Sequence, residues 1–168
     1  MTDQHHYDVT VTWTGNTGTG TSDYRAYSRS FDLDADGKHT IAGSSDPVFR
    51  GDADRWNPEE LFLGSLSACH KLWYVHLASV SGIVVSSYSD HAEGIMRTEP
   101  GSDGGRFVSV TLHPIVTLES GEPSLAQALH AEAHKRCFIA NSVNFPIVIE
   151  SAITTAAGAT AELVRHGS

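Results

Sequence analysis

Asn57-Pro58-Glu59-Glu60-Leu61-Phe62-Leu63-Gly64-Ser65-Leu66-Ser67-Ala68-Cys69-His70-Lys71-Leu72-Trp73-Tyr74-Val75-His76-Leu77-Ala78-Ser79-Val80 is the stretch on which the fold turns. It opens as a helix should. Asn57 can accept from the free N–H groups of the first turn, and Pro58 stands where a missing N–H costs nothing. Glu59 and Glu60 add negative charge at the positive end of the helix dipole, and Glu60 is spaced to close a capping box with Asn57. From Leu61 onward the run is apolar on nearly every face, with Lys71 the one strong charge. Such a helix is expected to be buried on nearly every side. Gly82 is the expected stop. One of only two cysteines, Cys69, therefore rides on a central helix over residues 57–81.

Upstream, Tyr7, Val9, Val11 and Trp13 alternate with Asp8, Thr10 and Thr12, which is strand periodicity with one buried face. A Gly- and Thr-rich loop follows. It lacks the lysine and the helix of a phosphate loop. Residues 24–33 read as a second strand and 40–42 as a short third, so 7–42 is an antiparallel meander. Residues 43–56 form a polar loop carrying Arg50 and Arg55.

Downstream, 83–96 reads as a strand, 99–105 as a turn and 107–118 as another strand, with Pro114 pointing to an edge or a bulge. Glu122-Pro123-Ser124 starts a second helix that ends near Cys137. After Pro146 a last strand runs from 147 to about 155, and 156–168 is expected to form a small helix or to fray. Strands and helices do not alternate strictly, so the class is α+β rather than a parallel α/β sheet. The chain reads as one domain over 1–168: the meander, the cysteine helix, and an αβ portion over 83–155.

The sequence has 168 residues, 40% hydrophobic and 18% charged, with a net charge of −9 when histidines are neutral. That balance disfavours nucleic acid and anionic membranes as partners, since both demand a basic face. No apolar run approaches the roughly 18 residues that span a bilayer. No basic start followed by an apolar stretch is visible, so the cytoplasm is the expected location. Two cysteines are too few for a disulfide scaffold. Composition alone leaves open whether they form a redox couple or serve as buried apolar fillers.

The block Asn57-Pro58-Glu59-Glu60-Leu61, with Cys69 ten residues after Glu59, resembles the OsmC/Ohr family of thiol-dependent organic hydroperoxide reductases. Ala133-His134-Lys135-Arg136-Cys137 resembles the family's second cysteine site. The sequence around Cys69 is nearer the OsmC-like branch than the Ohr branch. The resemblance, covering about 7–155, implies antiparallel sheets packed around two long helices in an intertwined homodimer. It implies a peroxidase that uses Cys69 as nucleophile and closes an intrachain disulfide with Cys137. No cofactor is implied. The substrate would be an organic hydroperoxide, and a dithiol, for instance of the lipoyl type, would reopen the disulfide.

A free cysteine is mostly thiol at neutral pH, and burial on an apolar helix disfavours the thiolate further. An arginine can oppose this, being always charged and able to fork between a thiolate and a carboxylate. The family holds such an arginine on the glutamate of the Asn-Pro-Glu block, which is Glu59 here. The OsmC-type position favours Arg50, and the Ohr-type loop points to Arg25; Arg55 is a third choice. Glu59 and Cys69 lie about 15 Å apart along an ideal helix, so they cannot touch directly. Trp73 and Phe62 are candidates to line an apolar substrate pocket, and Trp73 is equally well explained as core. His70 points about 100° from Cys69, so a catalytic pair is not implied by adjacency, and a helix or interface role is expected.

Two other classes compete. His130, His134 and Cys137 share one face at i, i+4 and i+7, which is the spacing of a metal site, although no further ligand is placed to complete it. The chain could also be a non-enzymatic binding or stress protein that keeps the fold.

Overall fold

The computed structural model describes residues 4–98, 101, 104–155 and 164–167. The chain forms two compact units, Met1–Phe62 and Leu63–Ser168.

The first unit is built on a three-stranded antiparallel sheet of β1 (Thr10–Trp13), β2 (Phe31–Asp34) and β3 (Ile41–Gly43), in that order. Trp13 pairs with Phe31, and Phe31 with Gly43. A Cβ at Gly43 would lie 2.2 Å from the Phe31 ring, so a larger residue there would force that ring to move. The second strand is shorter than its sequence suggests. Arg29 curls residues 24–29 out of strand geometry. Its guanidinium donates to the carbonyls of Tyr27 at 2.8 Å and Tyr24 at 2.9 Å while lying over both rings. The expected buried face of β1 is also absent: Val11 is 61% exposed and Trp13 is 43% exposed. Three short strands give a sheet whose first strand is left exposed among the described residues.

Helix α1 (Pro58–Val80) starts with the expected reciprocal cap, Glu60 N–H donating to Asn57 Oδ1 at 2.8 Å and Asn57 N–H to Glu60 Oε2 at 3.1 Å. It ends at Gly82, whose φ of 73° lets Ile83 N–H reach back to the Ala78 carbonyl at 2.9 Å. The helix is not buried on every side. Leu66, His70, Tyr74, Leu77 and Ala78 form one buried stripe, whereas Leu72 is 60% exposed and Val80 is 68% exposed. The chain by itself covers one face.

The second unit holds β4 (Val84–Asp90), β5 (Glu93–Thr98), β6 (Gly105–Leu112), β7 (Pro114–Ser120), α2 (Pro123–Arg136), β8 (Ile147–Thr155) and β9 (Val164–Gly167). The two long strands expected from sequence are each cut once, yet their register runs through the cut. Asp90 pairs with Pro114 and Glu93 with Thr111, so β4–β5 and β6–β7 form one interrupted hairpin. Leu112 pairs with Ile149 and Ile115 with Ala152, so β8 follows both halves in unbroken parallel register. The sheet is therefore mixed rather than wholly antiparallel. Strand β8 arrives by way of α2, and such a crossover connection permits parallel pairing.

Pro114 marks neither an edge nor a bulge. It is buried at the kink of an internal strand, first in β7. The Asp90 carboxylate substitutes for the interrupted ladder, taking His113 N–H at 2.7 Å and the Ser67 hydroxyl at 2.5 Å. Part of the tail pairs as β9 on β8 instead of forming a helix or fraying, and 156–163 lie outside the described residues. The core sets Tyr74, Leu77 and Ala78 of α1 and Ala126, Leu129 and Ala133 of α2 with Val116, Leu118 and Ile153 of the sheet. No helix among the described residues is long and apolar enough to cross a membrane.

Candidate functional site

In the first unit, Arg50 closes the 3-10 turn Pro47–Phe49, its N–H donating to the Pro47 carbonyl at 2.9 Å. It takes φ 67°, the one non-glycine residue with positive φ among the described residues. That conformation costs energy and clusters at functional positions. Its guanidinium is exposed and stands 5.6 Å above the Tyr24 ring. Glu59 is half-buried and takes no part in the cap. Among the described residues no ion pair joins Arg50 to Glu59. Arg25 is exposed, and its backbone N–H donates to Asp23 Oδ1 at 2.9 Å. Arg55 is committed to the framework, 3.7 Å from Asp32 and 3.8 Å from Asp52, and donating to the Phe31 carbonyl. Phe62 is half-buried at the end of this unit.

In the second unit the two cysteines come together. Cys69 is half-buried on α1 and Cys137 is buried at the C-cap of α2, both as free thiols. The Cys137 thiol is pushed up to about 12, first by burial and then by its hydrogen-bond interaction with Cys69. Ala140 N–H donates to Cys137 Sγ at 3.4 Å, which works the other way and is outweighed. Trp73, one turn beyond Cys69, meets Phe138 edge-on at 5.7 Å, and the Arg136 guanidinium lies 5.8 Å from its ring. Trp73 thus joins the elements that carry the two thiols. Phe138 was not legible as a site residue beforehand; its position next to Cys137 is the one signal it offered.

Sequence reasoning also missed a histidine pair. His70 Nε2 and His130 Nδ1 are 3.0 Å apart, with both rings buried. Among the described residues no acceptor faces His70 Nδ1. One proton lies between the two facing nitrogens, and the tautomer sets which ring donates it. His70 is held neutral, its pKa lowered to about 4 by burial and then by nearby His134. Spacing offered a signal: His70 falls at i+4 from Leu66 and i−4 from Tyr74, on the buried stripe. The pair also bears on the metal reading, because His130 Nδ1 faces His70. Among the described residues no three His, Cys, Asp or Glu side chains are grouped to hold a metal ion.

The family model described as OsmC-like protein matches residues 51–152. The chain belongs to the OsmC-like family. An OsmC-like protein of unknown function from Vibrio cholerae O1 biovar eltor is 32% identical, with a TM-score of 0.79 over 88% of this chain and 99% of that one. More distant structures share the fold. An organic hydroperoxide resistance protein from Elizabethkingia anophelis is 20% identical, with a TM-score of 0.66 over 92% of this chain and 99% of its own. One from Legionella pneumophila is 21% identical, with a TM-score of 0.62 over 90% and 99%. No protein of curated function matches the chain.

Proposed function

We propose that this OsmC-like protein is a thiol peroxidase that reduces organic hydroperoxides to alcohols. The observation that carries the reading is the pair of free thiols, unequal in burial, at adjoining points of α1 and α2. The more accessible Cys69 is suited to meet substrate as the thiolate. It attacks one peroxide oxygen, the O–O bond breaks, and the alkoxide leaves to become the alcohol. Cys69 is thereby oxidised by two electrons to a sulfenic acid. Cys137 then attacks the Cys69 sulfur, its proton leaves with the hydroxyl as water, and a disulfide forms. A dithiol reductant, for which a lipoyl-type carrier is suitable, restores both thiols by exchange.

Arg50 is the group assigned to favour the Cys69 thiolate and Glu59 the group assigned to hold that arginine, although the two are not paired among the described residues, with Arg25 as the alternative. Trp73 and Phe62 are assigned to the alkyl group of the substrate, and apolar walls favour alkyl peroxides over hydrogen peroxide. The protein acts as a homodimer in a reducing compartment such as the cytoplasm. The exposed apolar side chains Val11, Trp13, Leu72 and Val80 support the dimer, since each loses water on association. Consumption of cumene hydroperoxide with dihydrolipoate tests the reading. Cys69→Ser should abolish it, and turnover by that variant at the wild-type rate would leave a binding protein with the same fold.

A further inference from the structure

Two histidines lie deep between the helices that carry the cysteines. His70 is 1% exposed and His130 0%, a burial that histidine seldom reaches. Their ring planes differ by 8°, and the 3.0 Å contact runs edge to edge. Tyr74, one turn along α1, stacks on His130 at 4.1 Å and donates its hydroxyl to the Ala126 carbonyl at 3.2 Å. Two directional bonds and one stacked pair thus tie α1 to α2 inside an otherwise apolar core. Leucines would fill the same volume, but they would not select one rotation of one helix against the other.

Each histidine is tied to a cysteine by its place on the helix. His70 follows Cys69, so turning α1 moves both together. His130 stands two turns before Cys137 on nearly the same face of α2. Disulfide formation is demanding in geometry, accepting a narrow range of Cα separations and a dihedral near 90°. A rotation that parts the thiols also breaks the histidine bond.

We infer that the His70–His130 hydrogen bond is a positioning device for the thiol pair, fixing α1 against α2 so that Cys69 and Cys137 stay in register to close a disulfide. The inference rests on the disulfide step proposed above. In that step the S–O bond of the Cys69 sulfenic acid breaks, an S–S bond forms, and the Cys137 proton departs in water.

The test reads the thiol pair with and without peroxide. The full-length protein is equilibrated in dihydrolipoate/lipoate buffers, and the Cys69–Cys137 disulfide is quantified by alkylation and mass spectrometry. Separately, one equivalent of cumene hydroperoxide is added, and sulfenate formation and disulfide closure are timed. His70→Leu and His130→Leu should each lower the disulfide equilibrium constant about tenfold, making the potential about 30 mV less reducing. The ratio of closure rate to sulfenate formation should fall about tenfold as well.

Glutamine mimics the reach of Nε2 and asparagine that of Nδ1. The double variant His70→Gln/His130→Asn should therefore keep the wild-type potential, and His70→Asn/His130→Gln should lose it. The latter pair keeps the test decisive if the leucine variants do not fold. Leu118→Ala, a core truncation on the sheet rather than on either helix, should leave the potential unchanged. The inference is overturned if the swapped amides match wild type, or if Leu118→Ala shifts the potential as far. It is also overturned if wild type forms no Cys69–Cys137 disulfide in any buffer. A potential that depends on the histidines in a protein whose Cys69 ignores peroxide would uphold the positioning role and refute the peroxidase.

Discussion

Acidification should destabilise the protein through His70 in a way that one substitution removes. The folded-state pKa of His70 is about 4 against an ordinary 6.5, because charging it would bury a cation near His134 with no acceptor at Nδ1. The group is depressed in the folded state, so its contribution to stability is complete above pH 6.5. Below that the unfolded chain takes up a proton that the folded chain refuses. Stability then falls until pH 4, where the folded state protonates as well. A gap of about two and a half pH units corresponds to about 3 kcal/mol. His70 is buried, so solvent screening does little to reduce it. Urea unfolding at intervals from pH 7.5 to 4 measures the loss in wild type and in His70→Gln, which keeps the hydrogen bond and cannot charge. Carboxylates contribute equally to both proteins, so the difference isolates His70. Wild type should lose about 3 kcal/mol more than the variant. Parallel curves would refute the buried neutral histidine.

The remaining expectations concern the thiols, the arginine and assembly. Cys137→Ser should still reduce one equivalent of cumene hydroperoxide per chain to leave a sulfenic acid at Cys69, while dithiol-driven cycling collapses; with excess peroxide a second equivalent is consumed and mass spectrometry finds sulfinic acid. Arg50→Ala should slow peroxide consumption most at neutral pH and least at alkaline pH, where thiolate forms without help; a uniform loss across a pH–rate profile would point to Arg25 or to a structural role. Light scattering at micromolar concentration should return about twice the 18.0 kDa chain mass, and Leu72→Glu should move the protein toward monomer. Leu118→Ala should cost about 3 kcal/mol in urea unfolding, as expected for a leucine truncated in a closed core.

Local signals carried most of the fold. The Asn57–Glu60 cap, the Gly82 stop and the last strand are each set by neighbours a few residues apart, and each is found where those local signals put it. What escaped depends on partners far along the chain. Residues 24–30 have strand composition, but the two stacked tyrosines of Arg29 outweigh propensity. The kink at His113 is stabilised by Asp90, 23 residues away, and Pro114 alone could not disclose it. The apolar faces of α1 and β1 read as buried because amphipathic patterns report what must be covered, not which chain covers it. At the site, the resemblance named Cys69 and Cys137. Nothing local said that His70 on α1 meets His130 on α2, 60 residues later.

The difference between the two thiols follows from burial rather than from any feature of cysteine itself. A thiol pushed up to about 12 has almost no thiolate at neutral pH, so Cys137 is a poor first nucleophile. The same burial does not prevent it from resolving a sulfenate. In that step the departing hydroxyl of Cys69 takes the Cys137 proton, and the thiol need not ionise in advance. Proximity supplies what acidity lacks, because two thiols held in one geometry react at a high effective concentration. In the proposed cycle the order of attack follows from where the helices end and how they are packed. Cys69 lies half-buried mid-helix, and Cys137 lies buried at the C-cap of α2, next to Phe138 of the Trp73–Phe138 contact. A neutral histidine bond between those helices suits the proposed cycle: in the positioning role inferred for it, it would order the thiols without adding a buried charge that stabilises one thiolate over the other.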